Sequence, residues 1–400
     1  MIAGVGAAEA TRGGPGGMLL LSELFPPAVG GSAILFEGIY SRIPAADVVV
    51  LTDELAGTAA AADHHAGLRI VRRALATRRW GVLDLRGLAH HIGVALQVRR
   101  LMSRRGGLVH CARALPEGVA AMCARMLGGS PYVCWAHGED LMMALGSREL
   151  SALTKAVYRY SAAAIANSEN TASILARLGV PGHKIHVVYP AVDAERFHPG
   201  IDGSGIRACY ASSDDILLLS VGRLQRRKGH DIAIQAIAAL RDEMPRLRYV
   251  IAGDGDERAR LERLAASLSV SDRVFFAGVV PDDDLPLYYA AADVFLLPNR
   301  IDNGDIEGFG IVFLEAAAMG KPVIGGETGG VPEAVERDVT GLLVDGASVD
   351  AVAAAIRRLA TSAECRKRMG LAGRARAVQS FSWQRAAALV SELQTRLLSR

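Results

Sequence analysis

Residues 216–221, Ile-Leu-Leu-Leu-Ser-Val, form an almost continuous apolar run of the kind that fills a parallel strand buried on both faces. A glycine-containing loop and a helical pattern follow it directly, and the same order recurs along the chain. In the first half, strands are expected at 18–25, 47–51, 107–112, 131–136, 162–166 and 184–189. Helices are expected there at 33–43, 115–127 and 170–178. In the second half, strands are expected at 216–221, 247–252, 273–277, 294–297, 323–325 and 342–344. Its helices fall at 230–240, 256–268, 285–291, 349–359 and from Ser382 onward. Strands that alternate with helices imply α/β architecture, with one doubly wound parallel sheet in each half. Such sheets bind ligands beyond the carboxyl ends of their strands, so two of them facing each other make a central cleft.

The chain has 400 residues, enough for two or three domains. Composition shifts at 190–213, a stretch with Pro, Gly, Ser and Asp and little periodicity. The expected division is therefore a disordered extension over 1–17, a first domain over 18–190, a linker over 191–213 and a second domain over 214–380. A C-terminal helix over 381–400 would be able to cross back to the first domain. No run approaches the roughly 20 apolar residues of a membrane-spanning helix. The N-terminus lacks the compact apolar core of a secretory signal. The five cysteines, Cys111, Cys123, Cys134, Cys209 and Cys365, are scattered without a CxxC pair. That spacing argues against a zinc site and a disulfide framework, and fits a reducing cytoplasmic setting.

The richest chemistry lies in Glu307-Gly308-Phe309-Gly310-Ile311-Val312-Phe313-Leu314-Glu315. Two carboxylates bracket a glycine pair, and the run from Ile311 to Met319 is apolar except for Glu315. Burying an ionised carboxylate there is costly without a partner. Gly308 and Gly310 allow a ligand close to their amides, which feed a helix N-terminus that favours an anion. Phosphate at the amides and hydroxyls at the carboxylates would describe a nucleotide-sugar pocket. A buried helix whose Glu315 pairs with an arginine would give the same pattern.

Upstream, Gly222-Arg223-Leu224-Gln225-Arg226-Arg227-Lys228-Gly229 follows a buried strand and precedes a helix. Four cations at a strand end could neutralise a departing diphosphate, or simply form a basic surface loop. Gly30 and Gly31 follow the first strand and could present amides to a phosphate or sugar; a plain tight turn is equally compatible. His137 ends the strand 131–136, where a neutral imidazole could meet a sugar hydroxyl or be a satisfied structural histidine. Neither Gly30-Gly31 nor Gly253-Asp254-Gly255 is a GxGxxG fingerprint, and no Walker loop is present. Asp282-Asp283-Asp284 reads as a helix start, not a metal site.

Charge is unevenly divided. Residues 1–200 hold 20 Lys/Arg against 15 Asp/Glu, and residues 201–400 hold 25 against 27. Between Arg69 and Arg105 there are ten arginines and one acid, Asp84. A basic helical window of this kind is either a solvated face or a surface for anionic lipid. His64, His65, His90 and His91 read as surface residues there. Nucleic acid is disfavoured, since Trp80 is the window's lone stacking aromatic.

These motifs, in this order, resemble the GT-B glycosyltransferases of family GT4, with the likeness strongest over 193–333. It is carried by Ala191-Val192-Asp193, Gly222-Arg223 with Lys228-Gly229, Gly253-Asp254-Gly255, the EX7E pair Glu307 and Glu315, and Gly329-Gly330-Val331-Pro332-Glu333. The resemblance implies two Rossmann-like domains around a cleft, with a sugar moved from a UDP- or GDP-linked donor to an acceptor hydroxyl. It implies retention of anomeric configuration without cofactor or metal, with the departing phosphate helping to deprotonate the acceptor. By motif, Arg223 and Lys228 would grip the diphosphate. Glu307 would contact the donor sugar, with Gly308, Phe309, Gly310 and Ile311 around it, and Glu315 would bind the ribose. Gly278 to Val280 would meet the base, Gly30 and Gly31 would border the phosphates, and His137 would assist at the transferred sugar. The acidic segment 299–306 departs from the family's pattern. The basic window favours a lipid-linked acceptor in cell-envelope or exopolysaccharide assembly, at the inner face of the membrane. A soluble acceptor, a nucleotide-sugar epimerase and a nucleotide-sugar-binding regulator are the rivals.

Overall fold

The computed structural model describes residues 16–28, 30–44, 47–54, 62–103 and 105–399. The expectations placed on residues 1–15, Val29 and Arg104 lie outside them, as does the side chain of His64.

Two sheets dominate. The first contains β1 (Met18–Leu21), β2 (Val48–Thr52), β3 (Ala62–His65), β4 (Leu68–Arg72), β5 (Leu108–Cys111), β6 (Tyr132–Ala136), β7 (Ala163–Ala166) and β8 (Ile185–Val187). Its strand order is β3-β4-β2-β1-β5-β6-β7-β8, and every pairing is parallel except β3 with β4. The second contains β9 (Ile216–Val221), β10 (Leu247–Ala252), β11 (Val274–Gly278), β12 (Val294–Leu297), β13 (Val323–Gly326) and β14 (Gly341–Val344). Its order is β11-β10-β9-β12-β13-β14, all parallel. In each sheet the winding reverses beside the first strand, between β1 and β5 and between β9 and β12. The loops that leave these strands flank a switch point, where α/β sheets hold ligands.

Strand faces explain the cores. Odd-numbered residues of β1 and β2, such as Leu19, Leu21, Val49 and Leu51, join one apolar cluster with the helix Leu85–Met102. Even-numbered Leu20, Val48 and Val50 join a second cluster, which includes Trp383, Ala387, Val390 and Leu393. The C-terminal helix Trp383–Leu398 therefore packs on the first domain, against the helix Gly31–Tyr40. A Cβ at Gly38 would lie 2.5 Å from the Trp383 ring, so only glycine fits beneath it. The two chain segments that pass between the domains touch, because Val192 N donates to Phe381 O at 3.1 Å.

Several elements differ from the sequence reading. Arg69 and Arg72 lie in β4, so the basic window is only partly helical. β3 and β4 form a hairpin turned by Ala66 and Gly67, both at positive φ, without the Asn-Gly or Asp-Gly signal of such turns. The segment 190–213 contains the helix Ser204–Tyr210. The helix Ala363–Ser380 has no apolar stripe in sequence, because apart from Met369 its buried face is the small residues Gly370, Gly373 and Ala377, which read as loop. They let it approach the backbone of Gly320, whose carbonyl would lie 2.0 Å from a Cβ at Gly370. His91 is buried, with Nε2 3.1 Å from the Trp80 carbonyl, and His65 pairs with Glu37, so neither is the free surface residue that was expected.

Candidate active site

The loops after β9 and β12 meet at the second sheet's switch point. The β9 loop ends in a short turn, Arg226–Lys228, which buries Arg227 and Lys228 and leaves Arg223 exposed. The β12 loop brings Glu307 onto the same spot. Lys228 Nζ lies 2.5 Å from Glu307 Oε2, and Arg227 Nη1 lies 2.8 Å from the same oxygen. Asn299 Nδ2 donates to it at 2.9 Å. Burial pushes the Glu307 carboxyl up, but Lys228 and Arg227 outweigh it and hold it below the usual carboxylate range. Glu307 is therefore an ionised acceptor fixed by three donors.

Glu315 is built differently. It lies in the helix Ile311–Ala318, buried, and its Oε2 accepts a hydrogen bond from the Tyr289 hydroxyl at 2.6 Å. The partner is a tyrosine, where sequence reasoning had offered an arginine. Burial raises its pKa to about 7. Gly310, at φ 89, caps the N-terminus of that helix. Phe309 points away from the cleft into the core, its ring 5.7 Å from those of Tyr189 and Phe381. At that position only the backbone can face a ligand. Ile311 is half-buried at the first turn of the helix.

The first domain closes over this cluster. A Cβ at Gly308 would sit 2.0 Å from the His137 carbonyl, so the glycine permits the domains to meet there. The His137 ring stacks on Trp135 and its Nε2 lies 2.8 Å from the Ala112 carbonyl. A carbonyl can only accept, so Nε2 carries the proton and Nδ1 is left as an acceptor in the neutral ring. Gly30 and Gly31 open the helix Gly31–Tyr40, and a Cβ at Gly31 would meet nothing within 4 Å. Gly278 ends β11, on the other side of β9, with Val280 two residues on.

Three cross-domain contacts were not foreseen. Arg227 Nη2 reaches Glu139 of the first domain at 3.1 Å, while its Nε lies 3.0 Å from Asp305. Glu333 accepts from the Glu169 and Asn170 amides at 2.6 and 2.9 Å, capping the helix Glu169–Arg177 across the cleft. Tyr289, the partner of Glu315, has no sequence signal, and Asn299, a partner of Glu307, reads in sequence only as the start of the acidic segment 299–306. Nothing in local sequence pairs a helix tyrosine with a carboxylate 26 residues on, whereas Arg227 was visible as one of four clustered cations. Among the described residues, no group of three or more His, Cys, Asp or Glu could hold a metal ion.

Comparison with known proteins agrees with this architecture. The model for glycosyl transferases group 1 matches residues 207–376, and that for glycosyltransferase family 4 matches residues 29–196. A GDP-mannose-dependent alpha-(1-6)-phosphatidylinositol monomannoside mannosyltransferase of Mycobacterium tuberculosis is 31% identical over 384 residues, covering 94% of this chain and 97% of that protein. The protein so described in Mycolicibacterium smegmatis is 33% identical over 304 residues, covering 75% of this chain and 79% of its own. Among solved structures, sucrose-phosphate synthase from Thermosynechococcus elongatus superposes with a TM-score of 0.82 at 23% identity, covering 96% of this chain and 99% of that one. Anabaena Alr3699/HepE in complex with UDP and glucose gives 0.78 at 20% identity, over 94% and 99%. The chain is a GT-B glycosyltransferase of family GT4.

Proposed function

We propose that the protein transfers mannose from GDP-mannose to a lipid-linked acceptor, with retention and without a metal. The observation that carries the reading is the fixed group of Lys228, Arg227, Asn299 and Glu307 at a switch point, opposite His137 and beside the buried pair Glu315 and Tyr289. Arg223 and Lys228 gather the donor diphosphate, with the Gly308 to Ile311 backbone and the amides of Gly30 and Gly31 around it. Glu307 accepts from hydroxyls of the transferred sugar, Glu315 from the ribose, and the segment Gly278 to Val280 meets the base. His137 offers Nδ1 to a sugar hydroxyl. In the transfer, the bond from C1 to the diphosphate oxygen breaks and the acceptor oxygen bonds C1 on the same face. The acceptor proton passes to the departing phosphate, whose charge the two cations stabilise. The choice of GDP-mannose rests on the mannosyltransferases that the chain resembles along most of its length.

The lipid-linked acceptor is supported by the helix Leu85–Met102. One stripe is buried through His91, Val94, Ala95, Val98 and Met102. The opposite stripe exposes Leu85 and Leu96, 81% and 52% accessible, among Arg86, Arg99 and Arg100. Apolar side chains between arginines on a solvent-facing stripe suit the interface of an anionic bilayer. Of the ten arginines in the basic window, Arg72 is excluded from such a face. It is buried and donates to the Pro26 carbonyl.

A thermal-shift screen of GDP, UDP and ADP decides the base; the largest rise should come from GDP, about 2.7 kcal/mol at a hundredfold excess over Kd. Labelled GDP-mannose should transfer to a phospholipid-linked mannoside in the presence of EDTA. Efficient transfer to a soluble mannoside alone would favour the soluble acceptor. Release of altered sugar without acceptor would favour an epimerase, and binding without turnover a regulator.

A further inference from the structure

The sheet face and the basic helix border an open groove, away from the loops that carry Glu307 and Lys228. Side chains alternate along a strand, so Arg69, Val71 and Arg73 share the face of β2 that carries Val49 and Leu51. The last turns of the helix Leu85–Met102 and the chain that follows add Gln97, Arg100 and Arg105 as the opposite wall. Together they line a cavity of 580 Å³, within the range of small-molecule sites. Arg69 lies near the start of β4 and Arg105 precedes β5; Arg73 follows the end of β4, which stands two strands from the switch point between β1 and β5. No residue assigned to the donor lines this cavity.

Its chemistry is mixed in a specific way. Among the described residues, four arginines line it and no carboxylate does. Among the described residues, none of the four forms an ion pair. Like charges gathered around one space repel, and an anion relieves them. Guanidinium forks match phosphate oxygens. The floor of Val49, Leu51 and Val71 offers nothing to a phosphate but suits hydrocarbon. The buried Oε1 of Gln97 has no hydrogen-bond partner among the described residues, and an amide oxygen can only accept. A phosphate, a hydroxyl and a hydrocarbon chain occur together in a phospholipid with a hydroxylated headgroup.

We infer that this cavity seats one molecule of anionic phospholipid. The phosphodiester lies among Arg69, Arg73, Arg100 and Arg105, a headgroup hydroxyl donates to Gln97, and the first acyl methylenes cover the apolar floor. The inference rests on the membrane reading above and adds a defined lipid seat to it.

Calorimetry of the full chain, saturated with GDP, tests the seat with dihexanoyl phosphatidylglycerol below its micelle concentration. One lipid should bind per chain, at least about tenfold tighter than dihexanoyl phosphatidylcholine or inorganic phosphate. Arg69→Gln combined with Arg105→Gln should weaken it by roughly 100-fold, with an unchanged melting temperature, since each charge-assisted hydrogen bond is worth about a factor of ten or more. Gln97→Leu should erase the preference for phosphatidylglycerol over phosphatidylcholine in part, leaving the charge contribution. Equal binding of inorganic phosphate would make this a free-anion site and overturn the lipid assignment. So would binding unaffected by the double variant. Sedimentation with phosphatidylglycerol vesicles separates the two readings. Vesicle binding without monomer binding sinks the seat and keeps the membrane surface; monomer binding without vesicle binding keeps the seat and sinks the surface.

Discussion

Glu307 lies in a loop where Lys228, Arg227 and Asn299 surround it, whereas Glu315, one turn into the following helix, accepts from the Tyr289 hydroxyl. Both are buried, yet one is held ionised below the ordinary carboxylate range and the other is raised to about 7. The loop end of the site is charged before any ligand arrives. The helix end is poised between its neutral and ionised forms near neutral pH. A buried carboxylate is thus a different chemical object according to whether cations or a neutral hydroxyl surround it.

The largest expected break in this contrast comes from Lys228→Ala. Removing one charge partner of the departing diphosphate should lower kcat/KM by roughly 10²–10³. Steady-state kinetics with the labelled donor measures it, and near-normal turnover would remove Lys228 from the transition state.

The pH dependence of stability should separate the two carboxylates next. Glu315 binds its proton more tightly folded than unfolded. Its contribution is therefore most favourable below the unfolded value and is lost as pH rises from about 4.5 to about 7, by on the order of 3 kcal/mol. Glu307 has the opposite sign: its contribution is present above the unfolded value and is lost as pH falls through its depressed folded value. Melting curves of Glu315→Gln should lose the decline between pH 4.5 and 7, while Glu307→Gln should keep it. Parallel profiles for wild type and Glu315→Gln would refute the assignment.

Nucleotide binding sharpens the same pair. Glu315→Gln should weaken GDP binding by about tenfold, as for one lost charged hydrogen-bond acceptor, and Glu307→Gln should leave it within about twofold. Calorimetry with GDP alone reads this without any sugar chemistry. The smallest effect belongs to the contact between Arg227 and Glu139, whose carboxylate is 42% exposed. Glu139→Gln should change kcat/KM by less than about fivefold, because a half-exposed ion pair is worth about 1 kcal/mol at most.

The second domain was far more legible than the first. Its strands are nearly continuous apolar runs, and the loops after them carry glycines and charges at close spacing, so Lys228, Glu307 and Glu315, which the fold buries, stand out as candidates from the chain alone, whereas Arg223 is left exposed. Their partners could not. Tyr289 reaches Glu315 from another helix, and Asn299 reaches Glu307 from the far end of an irregular loop. The family resemblance of its motif places Phe309 at the donor, and tertiary packing turns its ring inward, leaving its backbone at the loop. In the first domain, β4 alternates arginine with apolar residues and so resembled the helix that follows it. Its charges also hid the cavity, since arginines distant in sequence converge only once β4 and the helix Leu85–Met102 lie side by side.

The hydrogen bond from Val192 to Phe381 has a mechanical meaning. The polypeptide passes from one domain to the other twice, and the two passages are fastened to each other rather than set apart. Two tethers along one line resist sliding and separation but leave rotation about that line soft, as in a door hung on a single edge. The rings of Tyr189, Phe381 and Phe309 pack around that line. Phe309 lies within the loop that carries Glu307, so a swing of the door is felt directly at the lock.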